Sequence, residues 1–273
     1  MSFVERLEER VLHLNTRLCV GIDPRPEWHP SGVSLQQHVT DLLEACAPFA
    51  CAVKPQLAFF EAQGLEGMRA LESVLAQARE LGLPVIVDGK RGDIGTTAEA
   101  YARAWLAGTR AGCALTVNPY LGRDTLEPML TTAKEAGGAL FCLVKTSNPG
   151  AGDLQDLPTP QGTVAEVVAS WVTDWNGEGT GLGPVGSVVG ATRPGELARF
   201  RARLPRSVLL LPGLGAQGGK PEELAPAFLD RGLGAVASAS RSVEYASRRA
   251  DFAQAAADAA RELRDALNRA LGT

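Results

Sequence analysis

The chain alternates short apolar runs with longer stretches in which apolar residues recur at helical spacing. Short runs rich in β-branched residues predict strands, and the longer periodic stretches predict helices. Eight strands are predicted in this way. They are Leu18–Ile22, Cys51–Lys54, Val85–Asp88, Ala114–Val117, Ala139–Val144, Val185–Val189, Val208–Leu211 and Ala235–Ser238. The runs lack the polar alternation of half-exposed strands, which indicates parallel strands covered on both faces.

Predicted helices fill the gaps between these strands. They are Gln36–Ala47, Met68–Leu81, Thr97–Ala107, Thr163–Trp175 and Asp251–Leu271. Repeated strand–helix units favour an α/β fold, a closed (β/α)8 TIM barrel, as one domain over residues 1–273. A doubly wound open sheet is the structural alternative. The Gly-, Pro- and Asp-rich stretch Asn148–Gln161 is interpreted as a long loop within the domain.

Composition narrows the class of protein. The 273 residues are 45% hydrophobic, enough for a sizeable core without disulfides or metals. This is the size of one barrel, although the length would also permit two small domains. The net charge of −4 argues against a nucleic-acid-binding protein. No apolar run approaches the roughly 20 residues that span a bilayer, so we expect a cytoplasmic protein with no membrane partner.

The cysteines and histidines do not form a recognisable metal or redox motif. The five cysteines contain no C-x-x-C pair and are interpreted as buried reduced thiols; they are Cys19, Cys46, Cys51, Cys113 and Cys142. The histidines His13, His29 and His38 lie early in the chain and are interpreted as surface or loop groups. Neither H-E-x-x-H nor G-x-S-x-G occurs, so we predict no metal site.

Charged residues follow several predicted strands at the end where barrel enzymes place their chemistry. Asp23 follows strand one, Lys54 ends strand two, and Asp88 ends strand three with Lys90 just beyond. Arg241 follows strand eight. A solvated loop residue explains any one of these charges, but it explains the whole set poorly, because buried charges are costly unless paired or used.

Asp88 and Lys90 lie two residues apart, so in an extended strand their side chains would point to the same side. Asp93 follows in the turn before the next helix, and Thr97 comes four residues later. A simpler interpretation makes Asp93 or Thr96 the cap of that helix. Capping does not explain the Asp-x-Lys pair directly upstream.

A glycine-rich segment, PGLGAQGGK, follows strand seven. Its glycines let backbone N–H groups approach an anion closely, and Arg241 after strand eight could add a charge-assisted contact. Barrel phosphate sites commonly use the loops after strands seven and eight. The position of the two segments therefore predicts a phosphorylated ligand.

The segment DGKRGDIGTT closely resembles the orotidine 5′-phosphate decarboxylase family, whose hallmark is D-x-K-x-x-D-I-x-x-T. Every defined position is matched, by Asp88, Lys90, Asp93, Ile94 and Thr97. Further segments along the chain, CVGIDPRP, AVKPQLAFFE, KTSNPGA, LLLPGLGAQGG and SASRSV, are also similar to the family. The KTSNPGA and VVGATRP segments look like its longer bacterial branch.

The resemblance implies a charge array in which Lys54, Asp88 and Lys90 alternate in sign. It also implies a homodimer, because each array would be completed from a second subunit. The residues supplied across the interface would be Asp93, Ile94 and Thr97. With no cofactor to accept electrons, Lys90 would stabilise the anion left at C6 of the substrate and then protonate it.

The resemblance further implies how the nucleotide substrate would be held. Asp23, Lys54 and Thr97 would bind the ribose hydroxyls, and Ser147 would read the pyrimidine edge. Gln217 and Arg241 would bind the phosphate, and the loop from Pro212 would close as a lid.

Two other functions remain open at this point. A related barrel decarboxylase can share D-x-K-x-x-D and act on a keto-sugar phosphate with Mg²⁺, although the Ile-x-x-Thr extension favours the nucleotide. A barrel that binds phosphate ligands without catalysis is the second alternative. A protein that only binds would be expected to lose at least one of the costly charges at Lys54, Asp88, Lys90 and Asp93.

Overall fold

The eight predicted strands form one closed barrel in the computed structural model, which describes residues 1–190, 194–214 and 220–273. In these ranges the barrel strands are β1 Leu18–Ile22, β2 Ala52–Pro55, β3 Ile86–Arg91, β4 Ala114–Val117, β5 Ala139–Lys145, β6 Val185–Val189, β7 Leu209–Pro212 and β8 Ala235–Ala239. Each lies within three residues of its predicted bounds. The predicted strands are therefore confirmed.

All neighbouring barrel strands run parallel, in the order β2-β1-β8-β7-β6-β5-β4-β3. Isolated parallel bridges between Val53 and Val85 and between Gln56 and Asp88 join β2 to β3. Because these bridges close the ring, the TIM-barrel prediction is confirmed and the open-sheet alternative is wrong.

Helices surround the barrel. Those of nine residues or more in the described ranges are α1 Phe3–Leu14, α2 Leu35–Cys46, α3 Gly64–Glu80, α4 Gly95–Leu106, α5 Glu127–Glu135, α6 Val164–Asn176, α7 Pro194–Arg203 and α8 Phe252–Leu271. The five predicted helices correspond to α2, α3, α4, α6 and α8. No helix in the described part of the chain is long and apolar enough to cross a membrane.

Helix α1 closes the end of the barrel at which the strands begin. Its buried face carries Phe3, Val4, Leu7 and Val11, which pack in one cluster with residues from the strands. The rings of Phe3 and Phe141 meet edge to face, with centroids 6.0 Å apart. The strand ends opposite this plug are left to form a site.

The stretch predicted as a long loop contains regular structure. Gly152–Gln155 is a short helix, and Pro158–Thr159 pairs antiparallel with Gly162–Thr163 in a small hairpin. Short elements of two to four residues leave almost no periodic signal, so the loop prediction was wrong in this respect. The five cysteines are free, as expected, but Cys113 is only half-buried.

Candidate active site

A cavity of about 550 Å³ opens at the C-terminal ends of the barrel strands. It is lined by predicted site residues from six strand ends, namely Asp23, Lys54, Asp88, Lys90, Ser147, Pro212 and Arg241. A larger depression of about 850 Å³ lies at the opposite end, around Asp230 and Arg231, and holds none of these residues. The predicted site residues therefore lie at the C-terminal ends of the strands, where barrel enzymes have their active sites.

Asp88 is the centre of the charged cluster in this cavity. Its Oδ2 accepts hydrogen bonds from Lys54 Nζ at 2.8 Å and from Gln56 Nε2 at 3.0 Å. Its Oδ1 accepts from Lys90 Nζ at 2.6 Å and from the Thr116 hydroxyl at 2.9 Å. Each oxygen of the buried carboxylate thus accepts two hydrogen bonds, which compensate for the loss of water around the charge.

These partners decide the protonation state of the cluster. Burial alone would raise the pKa of Asp88, but Lys54 and Lys90 together hold that pKa well below its usual range. Burial alone would lower the pKa of Lys54, yet the charges of Asp88 and Asp23 leave it raised. Asp88 and Lys54 are therefore an ionised pair at neutral pH.

The backbone at Lys90 differs from the extended strand expected from the sequence. Its φ of 47° is in the left-handed region, which is costly for a residue with a Cβ. The register of β3 against β4 shifts here, since Val87 pairs with Leu115 and Arg91 pairs with Val117. Three residues of β3 thus face one residue of β4. Lys90 and Asp88 do meet, but through this bulge rather than through extended geometry.

Asp23 is held over the cavity by its backbone. Its N–H donates to Glu244 Oε2 at 2.7 Å, and the Arg25 N–H donates to the Tyr245 hydroxyl at 2.6 Å. Among the described residues, the buried Asp23 Oδ1 has no hydrogen-bond partner. A buried acceptor of this kind can receive a hydroxyl from a ligand.

The predicted phosphate side of the cavity is described in part. Arg241 begins the short helix Arg241–Glu244 directly after β8, with its side chain exposed at the rim. Pro212 ends β7 and lines the cavity. Gln217 lies outside the described residues.

Lys145 fixes the segment that carries Ser147. Lys145 is buried at the end of β5, and its Nζ lies 2.5 Å from Asp156 Oδ1. Gln155 accepts the Thr146 N–H at 2.9 Å and donates to the Thr146 hydroxyl at 2.8 Å. The short helix at 152–155 is thereby tied to the strand end, beside the cavity that Ser147 lines.

Three predicted site residues do not line the cavity of their own chain. They are Asp93, Ile94 and Thr97, and they lie at the start of α4. Ile94 is 63% exposed. The cap of α4 is Ile94, without a side-chain hydrogen bond, so the capping role considered for Asp93 or Thr96 is wrong.

The interpretation of all three histidines as surface or loop groups was wrong for His38. Its ring is fully buried on α2 and stacks on His29, with centroids 3.8 Å apart, and on Phe252 at 4.7 Å. Burial lowers the pKa values of His29 and His38 to about 4. Aromatic stacking explains how an uncharged imidazole is accommodated there.

Sequence reasoning missed three residues of the site. Thr116 and Gln56 bond directly to Asp88, and Glu244 holds Asp23. Thr116 lies inside a predicted strand, where a single Thr is common and carries no motif. A polar residue on the inner face of a barrel strand, next to a charged strand end, is the signal that could have found it.

Known proteins support one family for this chain. The model of the Orotidine 5'-phosphate decarboxylase / HUMPS family matches residues 16–256. An orotidine 5'-phosphate decarboxylase of Deinococcus radiodurans is 56% identical over 271 residues, covering 99% of this chain and 98% of the relative. One of Roseiflexus castenholzii is 44% identical and covers 99% of each chain.

A solved structure gives the same result. The OMP decarboxylase of Leishmania donovani superposes with a TM-score of 0.82 at 36% identity, and the match covers 100% of both chains. The match of sequence and fold extends over the strands that build the charged cavity. The chain belongs to the Orotidine 5'-phosphate decarboxylase / HUMPS family.

Proposed function

We propose that this chain converts orotidine 5′-phosphate to UMP and CO2, the last step of de novo UMP synthesis, as a cofactor-free carboxy-lyase. The observation that carries the proposal is the ion array in the cavity, with Asp88 between Lys54 and Lys90. The names of the relatives, orotidine 5'-phosphate decarboxylase, support the same reaction.

The reaction breaks the bond between C6 of the pyrimidine and its carboxylate. The electron pair stays on C6, in the plane of the ring, while CO2 leaves. Lys90 then transfers a proton from Nζ to C6 and is reprotonated from solvent. Its side chain is 45% exposed and its Nζ lies 2.6 Å from Asp88, so the ammonium is both accessible to a ligand and held in place. A fixed positive charge beside the developing anion is preorganised electrostatic stabilisation.

Asp88 and Lys54 hold the proton donor in position. Asp88 orients Lys90, and Lys54 balances the second carboxylate oxygen, so the buried charge of Asp88 is paired on both sides. Repulsion between Asp88 and the substrate carboxylate would also disappear as CO2 departs, a contribution whose size is disputed.

Substrate binding follows the distribution of polar groups around the cavity. Asp23 and Lys54 bind the ribose, and Asp23 Oδ1, which has no hydrogen-bond partner among the described residues, is suited to accept a hydroxyl. Ser147 reads the pyrimidine. Arg241 binds the phosphate, with Gln217 as the partner expected from the motif. Binding energy from the unreactive phosphate is used to close the loop that begins at Pro212 and to exclude water.

We further propose a homodimer in which Asp93, Ile94 and Thr97 complete the cavity of the partner subunit. These residues lie outside their own cavity. Ile94 is 63% exposed and Tyr120, on the loop after β4, is 73% exposed. The Asn118 N–H donates to Arg91 O, so the loops that follow β3 and β4 begin side by side. Large exposed apolar side chains on neighbouring loops are typical of an interaction surface.

The test is the ultraviolet absorbance of orotidine 5′-phosphate incubated with purified protein in EDTA. Loss of the orotate band, with formation of UMP and CO2, is the expected result. An unchanged band from folded protein that binds UMP would favour a non-catalytic binding protein. Turnover of a keto-sugar phosphate only after Mg²⁺ is added would favour the related decarboxylase instead.

Two substitutions test the assigned roles. Lys90→Ala should abolish turnover while the protein stays folded, because the proton donor is lost; activity near that of the unchanged protein would reject this role. Arg241→Ala should lower kcat/KM substantially with the array intact, because the phosphate contact is lost. An unchanged kcat/KM would reject the phosphate role.

Mixing two inactive variants tests the shared site. Asp93→Asn and Lys90→Ala each damage both cavities of a homodimer. A mixed dimer would contain one cavity with Lys90 from one chain and Asp93 from the other, so activity should return after subunit exchange. Failure to recover activity, with mixed dimers demonstrated by mass, would contradict a site completed across the interface.

A further inference from the structure

We infer that Thr116 is a positioning residue that fixes both the backbone of Lys90 and the carboxylate of Asp88. The inference rests on the proposed function, because it concerns the geometry of the proposed proton donor. The contacts that support the inference do not depend on the family motif alone, since Thr116 lies on β4, outside the D-x-K-x-x-D-I-x-x-T segment.

The bulge in β3 leaves the Lys90 N–H without a regular partner on β4, and Thr116 provides one. Asp88, Gly89 and Lys90 lie between the last regular pair, Val87 with Leu115, and the next, Arg91 with Val117. Lys90 therefore lies outside the regular pairing of β3 with β4. Its N–H donates to the Thr116 hydroxyl at 2.8 Å, so a side chain receives the hydrogen bond at the irregular position.

The same hydroxyl also completes the bonding of Asp88. A threonine hydroxyl has one hydrogen to donate and lone pairs with which to accept. Thr116 accepts from the Lys90 N–H and donates to Asp88 Oδ1 at 2.9 Å. One atom thus links the main chain of the proton donor to the carboxylate that orients its ammonium.

Burial makes this link stiff. Thr116 lines the cavity but is only 1% exposed, so solvent has little access to either bond. The Lys90 backbone, with φ at 47°, is in a region that costs energy and persists only where surrounding contacts hold it. Thr116 is such a contact, and its loss should let Lys90 move away from the reacting carbon.

Thr116→Val tests the inference, because valine keeps the shape and removes the hydroxyl. We expect kcat to fall by about 10²-fold, the effect of misplacing a catalytic group by about 1 Å. KM and the affinity for UMP should change little, since neither the phosphate nor the ribose contacts involve Thr116. Thr116→Ser should restore kcat to within a few-fold of the unchanged protein.

Thr16 supplies the matched control. It is also fully buried, and its hydroxyl donates to Phe49 O at 2.5 Å and accepts from the Leu18 N–H at 3.3 Å, at the opposite end of the barrel. Thr16→Val should therefore lower stability without lowering kcat. If Thr116→Val does not fold, comparing Thr116→Ser with Thr116→Ala isolates the hydroxyl in the same way.

The outcomes separate the two proposals. An unchanged protein that does not turn over orotidine 5′-phosphate would overturn the proposed function, and this inference with it. An active unchanged protein with kcat preserved in Thr116→Val or Thr116→Ala would overturn the inference alone. A kcat loss that serine does not rescue, or that Thr16→Val reproduces, would also overturn it, because the effect would then be one of packing.

Discussion

Two buried carboxylates beside the same cavity have opposite surroundings. Asp88 is bonded to two ammonium groups and two neutral donors, and its pKa is held well below the usual range. Glu244 is completely buried and accepts the Asp23 N–H, but among the described residues its nearest basic group is the ring of His38, 3.6 Å away. Burial raises the pKa of Glu244 to about 8.

The difference shows that burial does not by itself set the charge of a carboxylate. Asp88 is ionised because Lys54 and Lys90 outweigh the cost of desolvation. Glu244 is neutral at pH 7 because the described groups around it do not outweigh that cost. The two groups therefore influence stability with opposite signs. Asp88 stabilises the fold above about pH 4 and loses this contribution in acid. The contribution of Glu244 to the stability of the fold is most favourable in acid and is lost as the pH rises towards 8.

The largest effect is expected from removing a cation of the Asp88 cluster. Lys54→Met should lower the free energy of unfolding by about 3–5 kcal/mol, because it leaves Asp88 with an unbalanced buried charge. Urea unfolding at pH 7 measures this. Lys134→Met, at an exposed position on α5, is the control and should change stability by less than about 0.5 kcal/mol. Equal losses of unfolding free energy in Lys54→Met and Lys134→Met would show that the buried Asp88 cluster is no more sensitive than an exposed lysine.

Replacing the titratable carboxyl of Glu244 should change stability with the opposite sign. The unfolded chain releases the Glu244 proton near pH 4.5, but the folded protein keeps it to about pH 8. The stability of the unchanged protein should therefore fall as the pH rises, and Glu244→Gln should remove about 2 kcal/mol of this loss between pH 5.5 and 7. Unfolding curves across this range give the slope. The titratable and charged groups around Glu244 are Asp23, Arg25, His38, Cys46 and Tyr245.

A parallel slope in Glu244→Gln and in the unchanged protein would show that Glu244 is ionised when folded. The comparison with Asp88 would then fail. The substitution keeps an oxygen able to accept the Asp23 N–H, so a change in slope is not explained by loss of that bond.

A smaller effect is expected on the acid side from His38. Its pKa is about 4 when folded and 6.5 in its ordinary state, so the unfolded chain binds a proton first as the pH falls. Stability should be lost between pH 6.5 and 4, and His38→Phe should reduce this loss by about 1 kcal/mol between pH 6 and 5. His29, whose pKa is also lowered to about 4, would still destabilise the fold in acid in this variant. An unchanged acid slope, measured by urea unfolding, would argue that His38 is already charged in the folded protein.

The smallest effect is expected where burial is absent. Glu99 and Arg103 form an exposed pair one turn apart on α4, with 3.7 Å between charged atoms. Glu99→Gln should change the free energy of unfolding by less than about 0.5 kcal/mol. A larger loss in urea unfolding would show that solvent exposure is not what separates weak from strong charges in this chain.

The sequence predicted the barrel well because fully covered parallel strands leave a plain signal. Runs such as Leu18–Ile22 are apolar on both faces and bounded by turns, so even their ends were predicted correctly. The hairpin at 158–163 was missed because two-residue strands have no periodicity. The Asp88–Lys90 contact was predicted, but the bulge behind it depends on pairing with β4, which local sequence does not encode.

The candidate site was predictable where residues belong to a motif and unpredictable where they support one. Asp88 and Lys90 follow a strand end in a recognisable pattern. Glu244 and His38 carry side chains that are usually exposed, so their complete burial follows only from tertiary packing.

The plug formed by α1 has a consequence for the order of folding. Its apolar face precedes every barrel strand in the sequence, yet the cluster in which it packs includes Val236 on β8, Ala235–Ala239. The face of α1 is therefore covered in stages, since Phe3 can pack on Phe141 once β5 has been made, whereas the cluster is complete only when β8 is in place. Completing this cluster is a long-range step, because it joins segments that lie far apart in the sequence.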